Sequence, residues 1–183
     1  MRIVGGSARG RPLHALGGLH TRPTSDRVRQ SVFDLLGQRC DGLRVLDLYA
    51  GTGALALEAL SRGAAHATLV ESAAAAAKAI ERNAAELGFA DRATLIRGEV
   101  ARALPGLSTA FDLVFADPPY ALQAAQPTLD ALARLSLVAP GGRVVLEHGR
   151  REQAPSPPSG FALLDERRYG DTCITIVARM VQP

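Results

Sequence analysis

The sequence predicts an α/β fold with a seven-stranded, mostly parallel sheet, helices on both faces and a C-terminal antiparallel hairpin. Three observations predict it. From residue 44 onward, short apolar segments alternate with amphipathic ones, as in sheets with helical crossovers. A glycine-rich turn directly follows the first apolar segment. The last two apolar segments are separated by Gly170-Asp171, which is typical of a hairpin.

Residue periodicity, together with glycine and proline positions, predicts the individual elements. We expect strands at 44–49, 67–71, 93–97, 111–116, 143–147, 161–168 and 172–179. Helices are expected at 54–62, 73–87 and 127–137. Gly63 and Gly88 suit the ends of the first two helices, because glycine readily adopts the left-handed conformation found there. Pro140-Gly141-Gly142 is expected to turn the chain into the fifth strand.

Residues 1–40 are expected to form an extension of the core domain at 41–183, not an independent domain. Residues 1–14 alternate glycine with basic and apolar residues, which suits a small hairpin. Thr24 or Ser25 can cap a following helix that runs to Leu36, with an apolar face and Arg27 on another face.

Composition indicates a globular protein, and the positions of cysteine and histidine give no sign of a metal site. The 183 residues are 47% hydrophobic and 21% charged. The sequence lacks an apolar run of the roughly 18–20 residues that a membrane span needs, and its first residues lack the apolar core of a signal peptide. A cytoplasmic location is therefore expected. Cys40 and Cys173 are far apart and the histidines are scattered, so no metal site is expected.

Positive charge is concentrated at the N-terminal end. Residues 1–30 hold six arginines and a single acidic residue, Asp26, whereas the whole chain has a formal net charge of only +3. A basic segment on a nearly neutral body is typical of a polyanion-binding arm, and solvated surface charge is the alternative interpretation. Because arginine matches phosphate geometry better than lysine does, the pattern favours nucleic acid.

The segment from Asp47 to Ala56 follows a predicted strand and opens a predicted helix. Gly51 and Gly53 let the backbone turn tightly and approach a ligand closely. The spacing also matches a dinucleotide fingerprint, and Glu71 lies where a ribose-binding acid is expected. The turn alone is therefore compatible with a nicotinamide cofactor or with another nucleoside cofactor.

Two features favour the second interpretation. Asp47 lies four residues before Gly51, where its carboxylate would repel a pyrophosphate but attract a cofactor that carries a sulfonium and an ammonium group. The other feature is the tetrapeptide Asp117-Pro118-Pro119-Tyr120 at the end of the fourth strand. In a doubly wound sheet, this tetrapeptide and the glycine turn face the same crevice.

The tetrapeptide has the residue types that methylation of a planar amine requires. An exocyclic amine is a weak nucleophile because its lone pair is delocalised into the ring. Asp117 and the carbonyl of Pro118 can accept the two amine hydrogens and so direct the lone pair towards a methyl group. The prolines fix that carbonyl, since their φ is restricted to about −65°. Tyr120 can stack on the base, and positioning of both reactants can lower the barrier by roughly 7–11 kcal/mol.

Longer segments resemble a known family. The segments VLDLYAGTGALALEALSRGA, VES and DLVFADPPY are similar to the class I methyltransferases, Rossmann-like in fold, that modify the N2 amine of guanine in 16S ribosomal RNA. MRIVGGSARGRPL, TRPTSDRVRQSVFDLL and RYGDT match the same family and extend the resemblance over nearly the full length.

The resemblance implies S-adenosylmethionine as methyl donor, S-adenosylhomocysteine as product and no metal. It also implies 16S rRNA as partner, within a 30S subunit or an assembly intermediate, and a monomeric enzyme. The implied cofactor-binding residues are Asp47, Tyr49, Ala50, Gly51, Gly53, Glu71, Glu99 and Val100. Glu99 departs from the aspartate that is more usual there. The candidates for RNA phosphate contacts, chosen on charge, are Arg9, Arg11, Arg22 and Arg27.

Three alternatives stay open on the sequence. An N-methyltransferase acting on DNA adenine or cytosine, or on a protein glutamine, would use the same tetrapeptide. A nicotinamide oxidoreductase is compatible with the glycine turn and Glu71. A catalytically silent RNA-binding module would need only the basic arm, although Asp117 is intact.

Overall fold

The computed structural model describes residues 1–15 and 26–181, and these residues form a layered α/β structure. The strands are β1 (Arg44–Leu48), β2 (His66–Glu71), β3 (Ala93–Arg97), β4 (Phe111–Ala116), β5 (Val138–Gly149), β6 (Phe161–Tyr169) and β7 (Thr172–Arg179). They form one seven-stranded sheet in the order β3-β2-β1-β4-β5-β7-β6. The first five strands are parallel, and β7 pairs antiparallel with both β5 and β6. The predicted fold class is confirmed.

Helices cover both faces of this sheet. They are α1 (Asp26–Leu35), α2 (Ala54–Ser61), α3 (Ala74–Leu87), α4 (Val100–Ala103) and α5 (Ala125–Arg134). One apolar core joins α1, α2 and α3 to one face, with Phe33, Leu57 and Ile80 among its buried members. A second core joins α4 and α5 to the other face through residues such as Val100 and Leu129. Burial of this apolar surface is the main force that stabilises the layers.

The order of the strands places a crevice between β1 and β4. These strands are neighbours in the sheet, although β2 and β3 come between them in the chain and lie on the far side of β1. Leu48 of β1 pairs with Ala116 of β4, so the turn after β1 and the tetrapeptide after β4 leave the sheet side by side. Such a switch point, at the carboxyl ends of the strands, is where open α/β sheets bind ligands.

The region around β5 differs from its prediction. Helix α5 begins and ends earlier than the expected 127–137, and β5 begins at Val138 instead of residue 143. Pro140-Gly141-Gly142 lies inside the strand as an irregularity, where the register against β4 jumps. Gly141 has a φ of +75°, and a Cβ on Gly142 would lie 2.8 Å from the carbonyl oxygen of Ala139. These glycines therefore permit a bulge that the turn-like sequence conceals.

The N-terminal segment packs into the core of the sheet domain. An isolated antiparallel bridge joins Arg2 to Pro12, as expected of a small hairpin. Ile3 and Leu13 are buried in the same core as α1 and α2. This shared core is what the predicted extension requires, and the boundary at residue 40 stays a prediction. Thr24 and Ser25, the predicted caps, lie outside the described residues.

A buried acid on α2 binds the N-terminal segment to the core. The carboxylate of Glu58 accepts hydrogen bonds from the backbone N–H groups of Val4, at 2.8 Å, and Gly5, at 2.7 Å. It also pairs with Arg62, at 2.8 Å, and with Arg29, at 3.3 Å. Arg29 is fully buried, although the sequence places it among the arginines of the basic arm. Its charge therefore serves the fold and is unavailable to a polyanion.

Candidate active site

The turn after β1 is built from residues in the left-handed region of backbone conformation. The φ values are 59° at Tyr49, 57° at Gly51 and 78° at Gly53. Glu71, at the end of β2, stabilises this turn. Its carboxylate accepts one hydrogen bond from the N–H of Gly51, at 2.8 Å, and another from the N–H of Ala73, at 2.7 Å. Glu71 thus joins the loops that follow β1 and β2.

The two glycines of the turn have different surroundings. A Cβ on Gly51 would meet no atom within 4 Å, so the backbone there borders open space. A Cβ on Gly53 would lie 3.1 Å from Leu69 Cδ2 and 3.3 Å from Ile80 Cγ1. Gly53 therefore lets α2 pack closely against β2 and α3, whereas Gly51 leaves room for a ligand. The sequence predicted the same role for both.

Asp47 lies beneath the turn with only 2% of its surface exposed. Its Oδ2 accepts a hydrogen bond from the N–H of Ala56 at 3.0 Å and so satisfies a free donor in the first turn of α2. Burial raises the pKa of Asp47 to about 8, the bond from Ala56 opposes the rise, and the nearby charge of Glu71 adds to it. A cationic ligand in the crevice would favour the ionised form of this acid.

The remaining predicted cofactor residues surround the same edge of the sheet. Ala50 is half-buried, and its N–H donates to the carbonyl of Val70 at 3.1 Å. The Tyr49 hydroxyl lies 3.1 Å from Thr128 Oγ1 on α5. Glu99 is exposed and immediately precedes α4, and Val100 is buried. Their contacts with a cofactor stay predictions.

The tetrapeptide continues β4 into the crevice. The N–H of Asp117 donates to the carbonyl of Leu48, at 3.4 Å, so the end of β4 stays attached to β1. Asp117 is partly buried, Pro118 is buried and Pro119 is exposed. These positions place the carboxylate of Asp117 and the carbonyl of Pro118 at the end of a rigid strand, where two acceptors for one amine can be held.

Tyr120 is fixed at its hydroxyl. The phenol donates to Glu147 Oε1 at 3.1 Å and lies 2.7 Å from Thr172 Oγ1. Its ring lies against Gly149, where a Cβ would be 3.4 Å from ring carbons. Burial, with a contribution from the charge of Glu147, raises the pKa of Tyr120 to about 12, so the phenol stays protonated. The residue keeps 36% of its surface exposed, so its ring can contact a planar group.

Sequence reasoning missed Glu147 and Thr172 as site residues. Glu147 has 8% of its surface exposed, near the end of a strand that is otherwise largely apolar. A charged residue at the end of a central strand, beside the strand that carries the tetrapeptide, is the signal that could have found it. Thr172 is the last residue of the RYGDT segment, whose resemblance to the family by itself assigns no role to the threonine.

The predicted RNA-binding arginines are spread over the N-terminal extension. Arg9, Arg11 and Arg27 are exposed, and Arg11 donates to the carbonyl of Glu86 on α3. Arg22 lies outside the described residues. Contact of these side chains with RNA stays a prediction. Within residues 1–15 and 26–181, no group of three or more His, Cys, Asp or Glu could hold a metal ion. Over the same ranges, no helix has the length and apolar character to cross a membrane.

The fold and the site define a class I methyltransferase. The defining features are a parallel switch point with a glycine turn, an acid at the end of β2 and Asp-Pro-Pro-Tyr at the end of β4. The chain belongs to the family described as Conserved hypothetical protein 95, whose model matches residues 1–178.

Relatives in this family are similar over nearly their whole length. The chain is 35% identical over 179 residues to "Putative rRNA methyltransferase YlbH" of Bacillus subtilis, covering 96% of this chain and 97% of that protein. It is 33% identical over 182 residues to "Ribosomal RNA small subunit methyltransferase D" of Escherichia coli, covering 100% and 91%. The solved structure "Putative methyltransferase yhhF from Escherichia coli" superposes with a TM-score of 0.89 at 34% identity, covering 100% of this chain and 99% of that one.

Proposed function

We propose that this protein transfers a methyl group from S-adenosylmethionine to the exocyclic N2 amine of a guanine in 16S ribosomal RNA. The observation that carries the proposal is the position of Asp117 and Pro118 beside the glycine turn, where the ends of β4 and β1 meet. The relatives indicate the substrate class, since they are named as methyltransferases of ribosomal RNA and of its small subunit.

The residues at the crevice fit this cofactor. The open space at Gly51 allows a ligand to approach the backbone, and the carboxylate of Glu71 lies directly behind that amide as an acceptor for ribose hydroxyls. Asp47 would supply a negative charge once the cationic methionine part is bound, since a nearby cation favours its ionised form. When bound, S-adenosylmethionine supplies a methyl group that is already activated by its sulfonium, so this chain has to align the acceptor and shield it from water.

The chain's own residues hold the base in a reactive orientation. The carboxylate of Asp117 and the carbonyl of Pro118 accept the two hydrogens of the amine, which directs the nitrogen lone pair towards the crevice. The ring of Tyr120, fixed by Glu147 and Thr172, sets the plane of the base. The carboxylate of Asp117 would stabilise the positive charge that methylation places on the nitrogen, and it would accept the amine proton and pass it to solvent. Catalysis then depends on alignment and electrostatics.

The proposal extends to the cellular setting. The substrate is the 16S rRNA within a 30S subunit or an assembly intermediate, the enzyme acts as a monomer, and it works in the cytoplasm where ribosomes assemble. The basic N-terminal extension supports binding of such a polyanion, because Arg9, Arg11 and Arg27 are exposed there.

Mapping of methylated nucleotides in 16S rRNA tests the proposal. A deletion strain should lack one N2-methylguanine, the wild-type gene should restore it, and Asp117→Ala should not. Purified Asp117→Ala should still bind S-adenosylhomocysteine in calorimetry, since Asp117 acts on the acceptor. Unchanged 16S methylation in the deletion strain would refute the proposal.

A substrate panel separates the alternatives that the tetrapeptide leaves open. Methyl transfer is measured on 16S rRNA, small-subunit particles, duplex DNA and protein with equal enzyme. Transfer to DNA or to a protein glutamine, without transfer to RNA, would replace the guanine assignment. Binding of NADH without binding of S-adenosylhomocysteine would point to the oxidoreductase.

A further inference from the structure

A polar cavity of about 670 Å³ lies between the N-terminal segment and the end of α2. A second concavity of about 330 Å³ adjoins it and shares Val4, Arg9 and Gln30 with it. Together they form a continuous groove that runs across the N-terminal segment. We call it the rear groove, because it opens where α2 ends and where the chain enters β1, at the amino ends of the parallel strands.

The rear groove is lined by cationic and amide groups. Arg9 and Arg39 are exposed, and Arg62 forms the inner wall. The Arg62 guanidinium is held rigidly by Glu58, at 2.8 Å, and lies 4.6 Å from the centre of the Phe33 ring. The acid that lines the groove is Asp41, and it already pairs with Arg39 at 2.6 Å. Positive charge therefore exceeds negative charge along the walls.

Arg9 is the most informative of these residues. It lines both concavities. The backbone N–H of Arg9 donates to the carbonyl of Gly6 at 3.3 Å. An exposed guanidinium with no ion pair among the described residues retains its five donors for a phosphate.

The rear groove lies on the opposite edge of the sheet from the catalytic tetrapeptide. Strand β1 separates the two edges, and its five residues span roughly 17 Å at about 3.3 Å each. Along a nucleic-acid strand, a distance of this order corresponds to several nucleotides. A phosphate in the rear groove would therefore belong to a nucleotide well away from the target base.

We propose that the rear groove binds the phosphodiester backbone of the RNA substrate at a second site, remote from the target guanine. This inference rests on the proposed function. Arg9 and Arg39 make the phosphate contacts, Arg62 strengthens the positive potential beneath them, and Asp41 competes with phosphate for Arg39. Such contacts position a large RNA without reading its sequence.

The salt dependence of RNA binding tests the proposal. The probe is a 16S rRNA transcript, and the variant is Arg9→Glu combined with Arg39→Glu. Each lost phosphate contact should reduce the slope of log affinity against log salt by roughly 0.7–0.9. We expect affinity to fall at least about tenfold at low salt and the KM for RNA to rise, with kcat at saturating RNA and S-adenosylhomocysteine binding unchanged. Both side chains are exposed, so the fold should survive. The double variant Arg9→Gln with Arg39→Gln removes the charges without reversing them, and its loss of RNA affinity should be smaller.

Arg134→Glu is the matched control. Arg134 is exposed at the end of α5, on the other face of the sheet, and its reversal changes the net charge equally per residue. The control should retain the wild-type slope. Asp41→Asn should have the opposite effect on RNA affinity. It removes the acid that pairs with Arg39, so Arg39 becomes available to phosphate and RNA binding should tighten.

Two outcomes would overturn the rear groove as an RNA site. One is a double variant with the salt slope and affinity of Arg134→Glu. The other is loss of inorganic phosphate binding in the double variant while RNA binding is unchanged, which would assign the groove to a free anion. Failure of the proposed function is distinguishable from failure of the rear-groove proposal, since the wild-type enzyme would then methylate neither RNA nor ribosomal particles.

Discussion

The phenol of Tyr120 donates a hydrogen bond to Glu147 over 3.1 Å and thereby joins the loop after β4 to the end of β5. The ring therefore has a fixed plane before any base arrives, because both its hydroxyl and its face against Gly149 are held. A preformed orientation lowers the entropy that must be lost when the base binds.

Removal of the Tyr120 hydroxyl should slow methyl transfer even when the aromatic ring is kept. A hydrogen bond to a charged group contributes about 1.5–3 kcal/mol, so we expect Tyr120→Phe to reduce kcat roughly 10- to 100-fold. Tyr120→Ala should reduce it further, since the stacking surface is also lost. Methyl transfer to 16S rRNA under single-turnover conditions measures both, and calorimetry with S-adenosylhomocysteine is the control. Equal rates for Tyr120→Phe and wild type would show that the anchor has no catalytic role.

The two glycines of the turn should respond differently to alanine. Gly51→Ala places a Cβ in open space at a φ of 57°, so its conformational cost is about 1–2 kcal/mol of unfolding free energy. The new methyl group should obstruct the cofactor and weaken S-adenosylhomocysteine binding. Gly53→Ala adds close contacts with Leu69 and Ile80 to a similar strain, so it should destabilise the fold more. Urea unfolding measures the loss of stability, and calorimetry measures the loss of S-adenosylhomocysteine binding. A larger loss of stability in Gly51→Ala, with a larger loss of binding in Gly53→Ala, would contradict these roles.

The sequence predicted the parts of the fold that depend on local pattern. Apolar periodicity located all seven strands, and the order of glycine turn, Glu71 and Asp117 identified the crevice. What it missed depends on distant contacts. Arg29 looks like any other arginine of the basic arm until Glu58, far along the chain, is folded against it. Glu147 and Tyr120 meet only because β5 lies beside β4.

Ionisation of Asp47 should affect stability between about pH 4 and pH 8. Its pKa is raised from 3.8 to about 8 in the folded protein, so within this window the folded state holds a proton that the unfolded chain has lost. The free energy of unfolding should therefore fall as pH rises through the window. Asp47→Asn cannot ionise and its side-chain oxygen can still accept from Ala56. Its urea-unfolding profile should be flatter with pH than that of the wild type, and parallel profiles would contradict the shift.

The buried ion pair of Arg29 and Glu58 should contribute more to stability than an exposed pair. Both side chains are fully buried, and Glu58 also receives two backbone N–H groups of the N-terminal segment. Glu58→Gln would remove the buried negative charge that pairs with both Arg29 and Arg62, and Asp26, at 2.8 Å, would compensate only Arg29. We therefore expect a loss of about 3–5 kcal/mol of unfolding free energy. Asp112→Asn is the matched control, because its pair with Arg44 is partly exposed to solvent and should contribute at most about 1 kcal/mol. Urea unfolding measures both, and similar losses would show that the network does not hold the extension in place. If the extension keeps its place without Glu58, the slope of log affinity for RNA against log salt should be the same in Glu58→Gln as in the wild type.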